Sequence, residues 1–128
     1  MASSLAQLVY EDKQYELEQY LSTVKPSVLL TPDVHGNTPF HIAAILGHST
    51  CLNKLLLSFF GFQNDENIVN RYSKINGLIM RNFNKSGWSI FEESIARGHR
   101  GCIGIMVKLI NVYQILVTAE SAANLKRQ

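Results

Sequence analysis

The chain has 128 residues, of which 46% are hydrophobic and 17% charged, a composition typical of one globular domain with a continuous core. Its formal net charge of +2 is too small to indicate a nucleic-acid partner or a membrane surface. Two cysteines exclude a disulfide framework, and the first residues show no charged lead followed by an apolar core. We therefore expect a cytoplasmic protein with reduced thiols.

The hydrophobic pattern predicts helices that come in pairs. The clearest helix covers residues 38–46, where Thr38 can cap the first turn, Pro39 fits the first helical position and Gly47 can end the helix. Helices this short are marginally stable alone, so they require neighbours to pack against. The predicted pairs, in chain order, are 3–10 and 13–22, 38–46 and 49–59, and 89–97 and 101–110.

An internal repeat supplies those neighbours. The stretch "HGNTPFHIAAILGHSTC" (35–51) matches "SGWSIFEESIARGHRGC" (86–102) at a distance of 51 residues, and a weaker copy lies in "SSLAQLVYEDKQYELEQYL", with Leu5 in the place of Phe40. Repeated units of this kind pack on one another because none can bury its apolar face alone. The identical pairs are Gly36 and Gly87, Phe40 and Phe91, Gly47 and Gly98, His48 and His99, and Cys51 and Cys102.

The unit resembles the ankyrin repeat, whose T-P-L-H-x-A signature stands here as "TPFHIA" (38–43). The resemblance implies an all-α fold, an ankyrin-repeat solenoid of about three stacked helix-turn-helix units. We expect a single domain over 1–128, and its parts in chain order are units at about 3–32, 33–76 and 77–111, and a C-terminal capping helix over 112–128.

The spacing between the second and third units predicts a long insert. Their offset of 51 residues exceeds the usual ankyrin period of ~33 residues by roughly 18, and the excess falls on residues 58–76. A prolonged helix and an irregular loop would absorb it, and a turn segment should follow from Gly77. The insert either lies on a binding face or is a tolerated excursion in which Phe59, Phe60 and Phe62 cover the side of the stack.

A closer resemblance covers nearly the whole chain. "LAQLVYEDKQYELEQYL", "GNTPFHIAAILGH" and "NKSGWSIFEESIARG" are similar to the ankyrin repeat domain-containing thirteen family, including its Gly-Trp-Ser step at 87–89. In that family the ankyrin block is the front of a longer, receptor-chaperone-like protein. The resemblance therefore implies, as an alternative function, the N-terminal part of a receptor-chaperone or ubiquitin-linked trafficking regulator at the cytosolic face of endomembranes.

Chemically reactive residues have structural explanations. The spacing His48-x-x-Cys51 recurs at His99-x-x-Cys102 and allows a metal-binding domain, but equivalent positions on stacked helices lie ~8–10 Å apart, too far to share one ion. We expect no metal, no cofactor and no enzymatic activity, and buried free thiols. His41 should hydrogen-bond the neighbouring turn's backbone rather than act as a catalytic base.

A protein partner is the predicted ligand, without nucleic acid and without direct membrane insertion. Trp88 is the single tryptophan, and an arginine and a tyrosine are expected on the same face, a composition typical of interface hot spots. Alternatively, Trp88 packs on the following turn and Ile45 contacts the insert. The resemblance places the following residues on a concave binding face: Tyr10, Glu11, Val34, His35, Asn37, Ile45, Leu46, Lys85, Trp88 and Arg97.

The C-terminal residues are expected to prolong the last helix. Apolar residues recur at helical spacing from Val112 to Ala122, and a polar stripe at Lys108, Asn111 and Gln114 argues against a membrane span. This segment can cover the open face of the last unit, or it can associate with a second copy of the chain.

Overall fold

A computed structural model describes residues 4–61 and 67–127, and every regular element in these two ranges is a helix. The all-α class is thereby confirmed for the described residues. The helices in chain order are α1 (Leu5–Tyr10), α2 (Gln14–Leu21), α3 (Pro26–Leu29), α4 (Pro39–Leu46), α5 (Ser49–Gly61), α6 (Ile68–Met80), α7 (Ile90–Ala96) and α8 (Arg100–Arg127).

Three helix pairs lie side by side in two layers. Within each pair the two helices contact each other: α1 with α2, α4 with α5, and α7 with α8. The first helices also contact each other in order, α1 with α4 and α4 with α7, and the second helices do the same, α2 with α5 and α5 with α8. Each middle helix is therefore covered on both sides by its counterparts.

The loops inside the three pairs share one backbone geometry. In each loop a residue with positive φ precedes an amide that donates to a carbonyl five residues earlier, a pattern that ends a helix tightly. Asp12 lies 35 residues before Gly47, so the weaker upstream copy forms the same loop as the other two. The three sets are Asp12 (φ 56°) with Lys13 N–H to Leu8 O at 2.9 Å, Gly47 (74°) with His48 to Ala43 at 2.9 Å, and Gly98 (69°) with His99 to Ser94 at 3.0 Å.

Capping boxes begin α4 and α7. The Thr38 hydroxyl accepts the amide of His41 at 3.3 Å, and the His41 ring accepts the Thr38 amide at 3.2 Å. Ser89 and Glu92 make the same reciprocal pair at 3.1 and 3.0 Å. The third unit therefore begins its first helix as regularly as the second.

The insert forms most of α6. The turn segment predicted from Gly77 begins later, at Arg81, because α6 continues to Met80 and buries Ile75, Leu78 and Ile79 against the rest of the fold. α6 packs on α7 and α8, and its C-cap, Arg81, lies 51 residues after Leu30, the C-cap of α3. The extra residues thus lengthen α5 and convert a four-residue connecting helix into one of thirteen.

The hydrophobic core runs through all three pairs. Phe40 is fully buried at its centre and meets Phe59 edge to face, with ring centroids 6.2 Å apart. Phe60 stacks on Tyr113 at 5.0 Å, which joins the end of α5 to α8. These two phenylalanines of the insert therefore pack against the rest of the fold, as in the second of the two alternatives, whereas Phe62 lies outside the described residues.

α8 runs without a break from Arg100 to Arg127, so the prediction that the C-terminal residues prolong the last helix is confirmed for the described residues. Its first half is anchored by Cys102, Met106 and Tyr113, which are buried, whereas Ile115 and Leu125 in the second half are 67% and 70% exposed. By length and composition alone, α8 is the one helix among the described residues that is long and apolar enough to cross a membrane. Its second half covers little of the described core.

Candidate partner-binding surface

Two loops with the same internal hydrogen bonds precede the first helices of the second and third pairs. In residues 33–37 the Asp33 carboxylate accepts the amides of His35 at 2.8 Å and Asn37 at 2.9 Å. In residues 84–88 the Asn84 side-chain oxygen accepts the equivalent amides, of Ser86 at 3.1 Å and Trp88 at 3.0 Å. A side-chain oxygen at the first position thus fixes both loops, for which Asp and Asn are well suited.

The two loops are bonded directly to each other. The Lys85 amide donates to the His35 carbonyl at 3.0 Å, and the Asn84 side chain donates to the Asn37 side-chain oxygen at 2.9 Å. Gly36 has φ +76°, and a Cβ there would lie 2.8 Å from the Lys85 nitrogen, so only glycine permits this approach. The loops consequently form one stacked ridge.

His41 supports this ridge from beneath. Its Nδ1 accepts the Thr38 amide, so the proton lies on Nε2, which donates to the Trp88 carbonyl at 3.2 Å. The residue is fully buried, and burial lowers its pKa below the usual value of 6.5. The predicted structural role of His41, binding the neighbouring turn's backbone, is confirmed.

The ten predicted partner-binding residues fall into two groups, not one continuous patch. One group occupies the ridge, and the other lies at the C-terminal ends of the first helices. The eight residues of α4 separate the groups by roughly 12 Å at 1.5 Å per residue. The ridge group is Val34, His35, Asn37, Lys85 and Trp88, and the helix-end group is Tyr10, Glu11, Ile45, Leu46 and Arg97.

Eight of these ten residues are exposed. Among the large apolar ones, Val34 is 76% exposed, Tyr10 63%, Trp88 41% and Leu46 37%. Asn37 and Ile45 are half-buried, and both have structural bonds: Asn37 to Asn84, and the Ile45 carbonyl to the His99 ring at 2.9 Å. Trp88 thus has a surface that a partner can reach.

One buried polar cluster beside the ridge is not apparent from the sequence. Glu93, 8% exposed, accepts the Asn84 side chain at 3.0 Å and lies 3.6 Å from the Arg97 guanidinium. The equivalent residue of the other copy is apolar Ile42, so the repeat itself gives no signal for a carboxylate at this place. The cluster orients Arg97 and so belongs to the surface.

The histidines and thiols outside the ridge bind the preceding helix pair. The His48 ring meets the Val9 carbonyl at 2.8 Å, and the Cys51 thiol donates to the Asp12 carboxylate at 3.3 Å. Burial, and then the Asp12 contact, raise the pKa of Cys51 to about 12, while burial raises the pKa of Cys102. Both cysteines are free and buried, as predicted.

Metal ligation finds no support in this arrangement. Between residues 4 and 61 and between 67 and 127, no group of three or more histidine, cysteine, aspartate or glutamate side chains could hold a metal ion. The two His-x-x-Cys pairs instead engage backbone or carboxylate oxygens of separate junctions.

Comparison with known proteins gives one informative match. The chain is similar to ankyrin repeat domain-containing protein 13C from Danio rerio, with 28% identity over 93 residues. The matched part is 73% of this chain but 15% of the relative, so the chain spans only a small part of that protein's length. No family model matches the chain, and no solved structure matches it. The similarity confirms the family resemblance found in the sequence.

Proposed function

We propose that the chain is an ankyrin-repeat module, a short solenoid of about three stacked units, which binds a protein partner. The observation that carries this proposal is the ridge, in which two loops 51 residues apart have the same internal hydrogen bonds and bond to each other. The similarity to an ankyrin repeat domain-containing protein supports it. Stacks of this kind present extended concave surfaces to partners.

Trp88 is the proposed anchor of the interface. Its backbone is fixed by His41 and Asn84, so the point at which its half-exposed side chain leaves the ridge is set before binding. A rigid aromatic group loses little conformational entropy on binding, which favours affinity. Leu46 provides a second apolar contact at the other end of the first helices.

Charge gives the partner an orientation. Exposed Glu11 follows the first helix, whereas exposed Lys85 and Arg97 belong to the third unit. The formal net charge of residues 1–66 is −4, from seven acidic and three basic residues. That of residues 67–128 is +6, from three acidic and nine basic residues. A matching partner is basic near the first unit and acidic near the third, and these rim charges act chiefly on the association rate.

The test is a quantitative pull-down followed by affinity measurement. Proteins captured by the native chain should be lost with Trp88→Ala, at a cost of about 2 kcal/mol or roughly 30-fold in Kd, whereas Lys85→Ala should cost less than about 1 kcal/mol. Leu57→Ala is the matched control, because Leu57 is 61% exposed but lies on α5. Equal capture by the native chain and a folded Trp88→Ala variant would contradict the proposal.

A second candidate is the trafficking role that the family resemblance implies, favoured by the similarity to ankyrin repeat domain-containing protein 13C. Under this proposal the chain works at the cytosolic face of endomembranes and its captured proteins include membrane receptors. Mass spectrometry of the same pull-down separates the two candidates. An absence of membrane proteins among the Trp88-dependent partners would exclude the second.

A further inference from the structure

A groove of about 470 Å³ runs between α5 and α8, the second helices of the second and third pairs. Polar residues from the first turns of α5, together with Lys108, form part of its wall. Leu57 is 61% and Val112 44% exposed, so the groove presents apolar surface directly to solvent. The apolar part of the wall comes from Leu56, Leu57, Phe60, Ile105, Leu109 and Val112.

The second half of α8 extends beyond the core and is apolar on one side. Past Tyr113 none of the described side chains of α8 is buried, and Ile115 and Leu116 are 67% and 46% exposed. Residues 114–127 measure roughly 20 Å at 1.5 Å per residue, and the wall of the groove from 49 to 60 measures roughly 16 Å. This free half is therefore long enough to fill a groove of this size.

One apolar stripe on α8 joins the groove to the free half. Its residues follow one another at intervals of four, three, four, three and four, a pattern that keeps them on one side of a helix. The order of the intervals is the same from either end, so an antiparallel copy of α8 meets the stripe in register. The stripe consists of Ile105, Leu109, Val112, Leu116, Ala119 and Ala123.

The sizes of the stripe residues also match in this register. Large residues in the groove lie opposite alanines of the free half, and small residues opposite large ones allow two helices to approach closely and interdigitate. A two-fold axis at the middle of the stripe makes the second contact identical to the first, as in most homodimers. The pairs across the axis are Ile105 with Ala123, Leu109 with Ala119, and Val112 with Leu116.

We propose that a second copy of this chain occupies the groove, through antiparallel pairing of the two α8 helices in which each free half lies in the groove of the other copy. The groove and the apolar side of the free half provide about fifteen residues per copy. At the usual area per interface residue, two copies bury about 1,000–1,200 Å² in total, the lower end for specific interfaces. The dimer is therefore reversible and is half formed at roughly 10–100 μM.

Sedimentation equilibrium of the chain, from about 5 to 500 μM, measures this association. We expect the average mass to rise from that of one chain toward that of two and no further, because a two-fold contact closes on itself. Leu116→Glu places a carboxylate beside the two-fold axis and should weaken the dimer at least about thirtyfold. Val107→Glu is the matched control: Val107 is 39% exposed on the same helix but lies nine residues away, on the opposite side. It should leave Kd within about twofold.

Ala119→Leu distinguishes a fitted interface from general apolar association. Leucine closes the space that Leu109 of the second copy requires, so the dimer should weaken about tenfold although the chain becomes more apolar. Leu57, the control position for the ridge, lines this groove, so Leu57→Ala should weaken the dimer while Trp88→Ala leaves it within about twofold. Circular dichroism and thermal unfolding establish that each variant is folded.

Three results would overturn the proposal. These are a chain that stays monomeric at about 500 μM, equal weakening by Val107→Glu and Leu116→Glu, and a dimer strengthened by Ala119→Leu. Because α8 is long and apolar enough to cross a membrane, flotation with phosphatidylcholine vesicles accompanies the measurement. A monomer that binds these vesicles through Leu116 would show a lipid ligand instead. Dimerisation abolished by Trp88→Ala alone would assign self-association to the ridge, which refutes this groove while leaving the ridge to its own test.

Discussion

Residues 33–47 and 84–98 fold alike but have different surroundings. Both begin with an Asx-fixed loop, continue into a capped helix and end at a glycine with positive φ. α4 packs between two other first helices, α1 on one side and α7 on the other. Among the described residues, α7 packs against one other first helix, α4. Ala44 is accordingly fully buried, and its equivalent Ile95 is 53% exposed.

The comparison separates two kinds of information. Turns, caps and helix ends depend on residues within each copy, and so they recur wherever the copy recurs. Burial and polar partners depend on the next copy: His41 reaches forward to the Trp88 carbonyl, whereas its equivalent Glu92 caps only its own helix. Substitutions at equivalent positions should therefore differ most where a neighbour is present.

The largest expected difference is between Phe40→Ala and Phe91→Ala. Phe40 is fully buried against Phe59, so its loss should reduce the free energy of unfolding by about 3–5 kcal/mol. Phe91 is half-buried, and its truncation should cost clearly less. Urea unfolding of both variants provides the measurement. Equal losses would show that the two units are equally covered.

The loop glycines should show the next largest difference. Alanine at Gly98 adopts φ +69° with open space around its Cβ, so the cost is that of the left-handed backbone, about 1–2 kcal/mol. At Gly47 the same backbone cost applies, and the Cβ would also lie 2.7 Å from the His99 ring, which is bonded to Ile45. Gly47→Ala should be the less stable variant by thermal unfolding. The reverse order would mean that His99 moves without cost.

A pH titration sharpens the contrast between His41 and Glu92. The pKa of folded His41 lies below the usual 6.5, so the unfolded state takes up its proton first as pH falls. This contribution to stability is complete above pH 6.5 and is lost below it, because burial disfavours the charged ring and protonation of Nδ1 also removes the acceptor of the Thr38 amide. Stability measured from pH 7.5 to 5.5 should decline less steeply in His41→Gln than in the native chain, and an unchanged slope would contradict the assignment.

Asp12→Gly should have the smallest effect. Asp12 has φ +56° at the position that glycine occupies in the other two loops, so glycine relieves backbone strain while the bond to Cys51 is lost. The two terms oppose each other, and the net change should be less than about 1 kcal/mol. Chemical denaturation measures it. A large loss would show that the first loop depends on the thiol contact.

The repeat in the sequence predicts the pairs of helices and the roles of Thr38 and His41, because these follow from short-range signals within each copy. α6 could not be predicted in the same way, since the insert has no second copy in the chain and a glycine such as Gly77 is typical of turns rather than helix interiors. The separation of Leu46 from Trp88 also depends on packing: both are exposed, but they lie at opposite ends of the first helices. Likewise, buried Glu93 has its polar partners in Asn84 and Arg97, which the fold brings to it.

The most direct test of the stacked arrangement is an NMR measurement at the ridge. If the two loops are adjacent copies, the Lys85 amide proton should give cross-peaks to protons of His35 and Gly36, and a scalar coupling should cross the hydrogen bond from Lys85 N to the His35 carbonyl, which is 3.0 Å long. The Asn84 side-chain amide should likewise lie near Asn37. Cross-peaks within each loop, but none between residues 33–37 and 84–88, would contradict the stack and the function proposed from it.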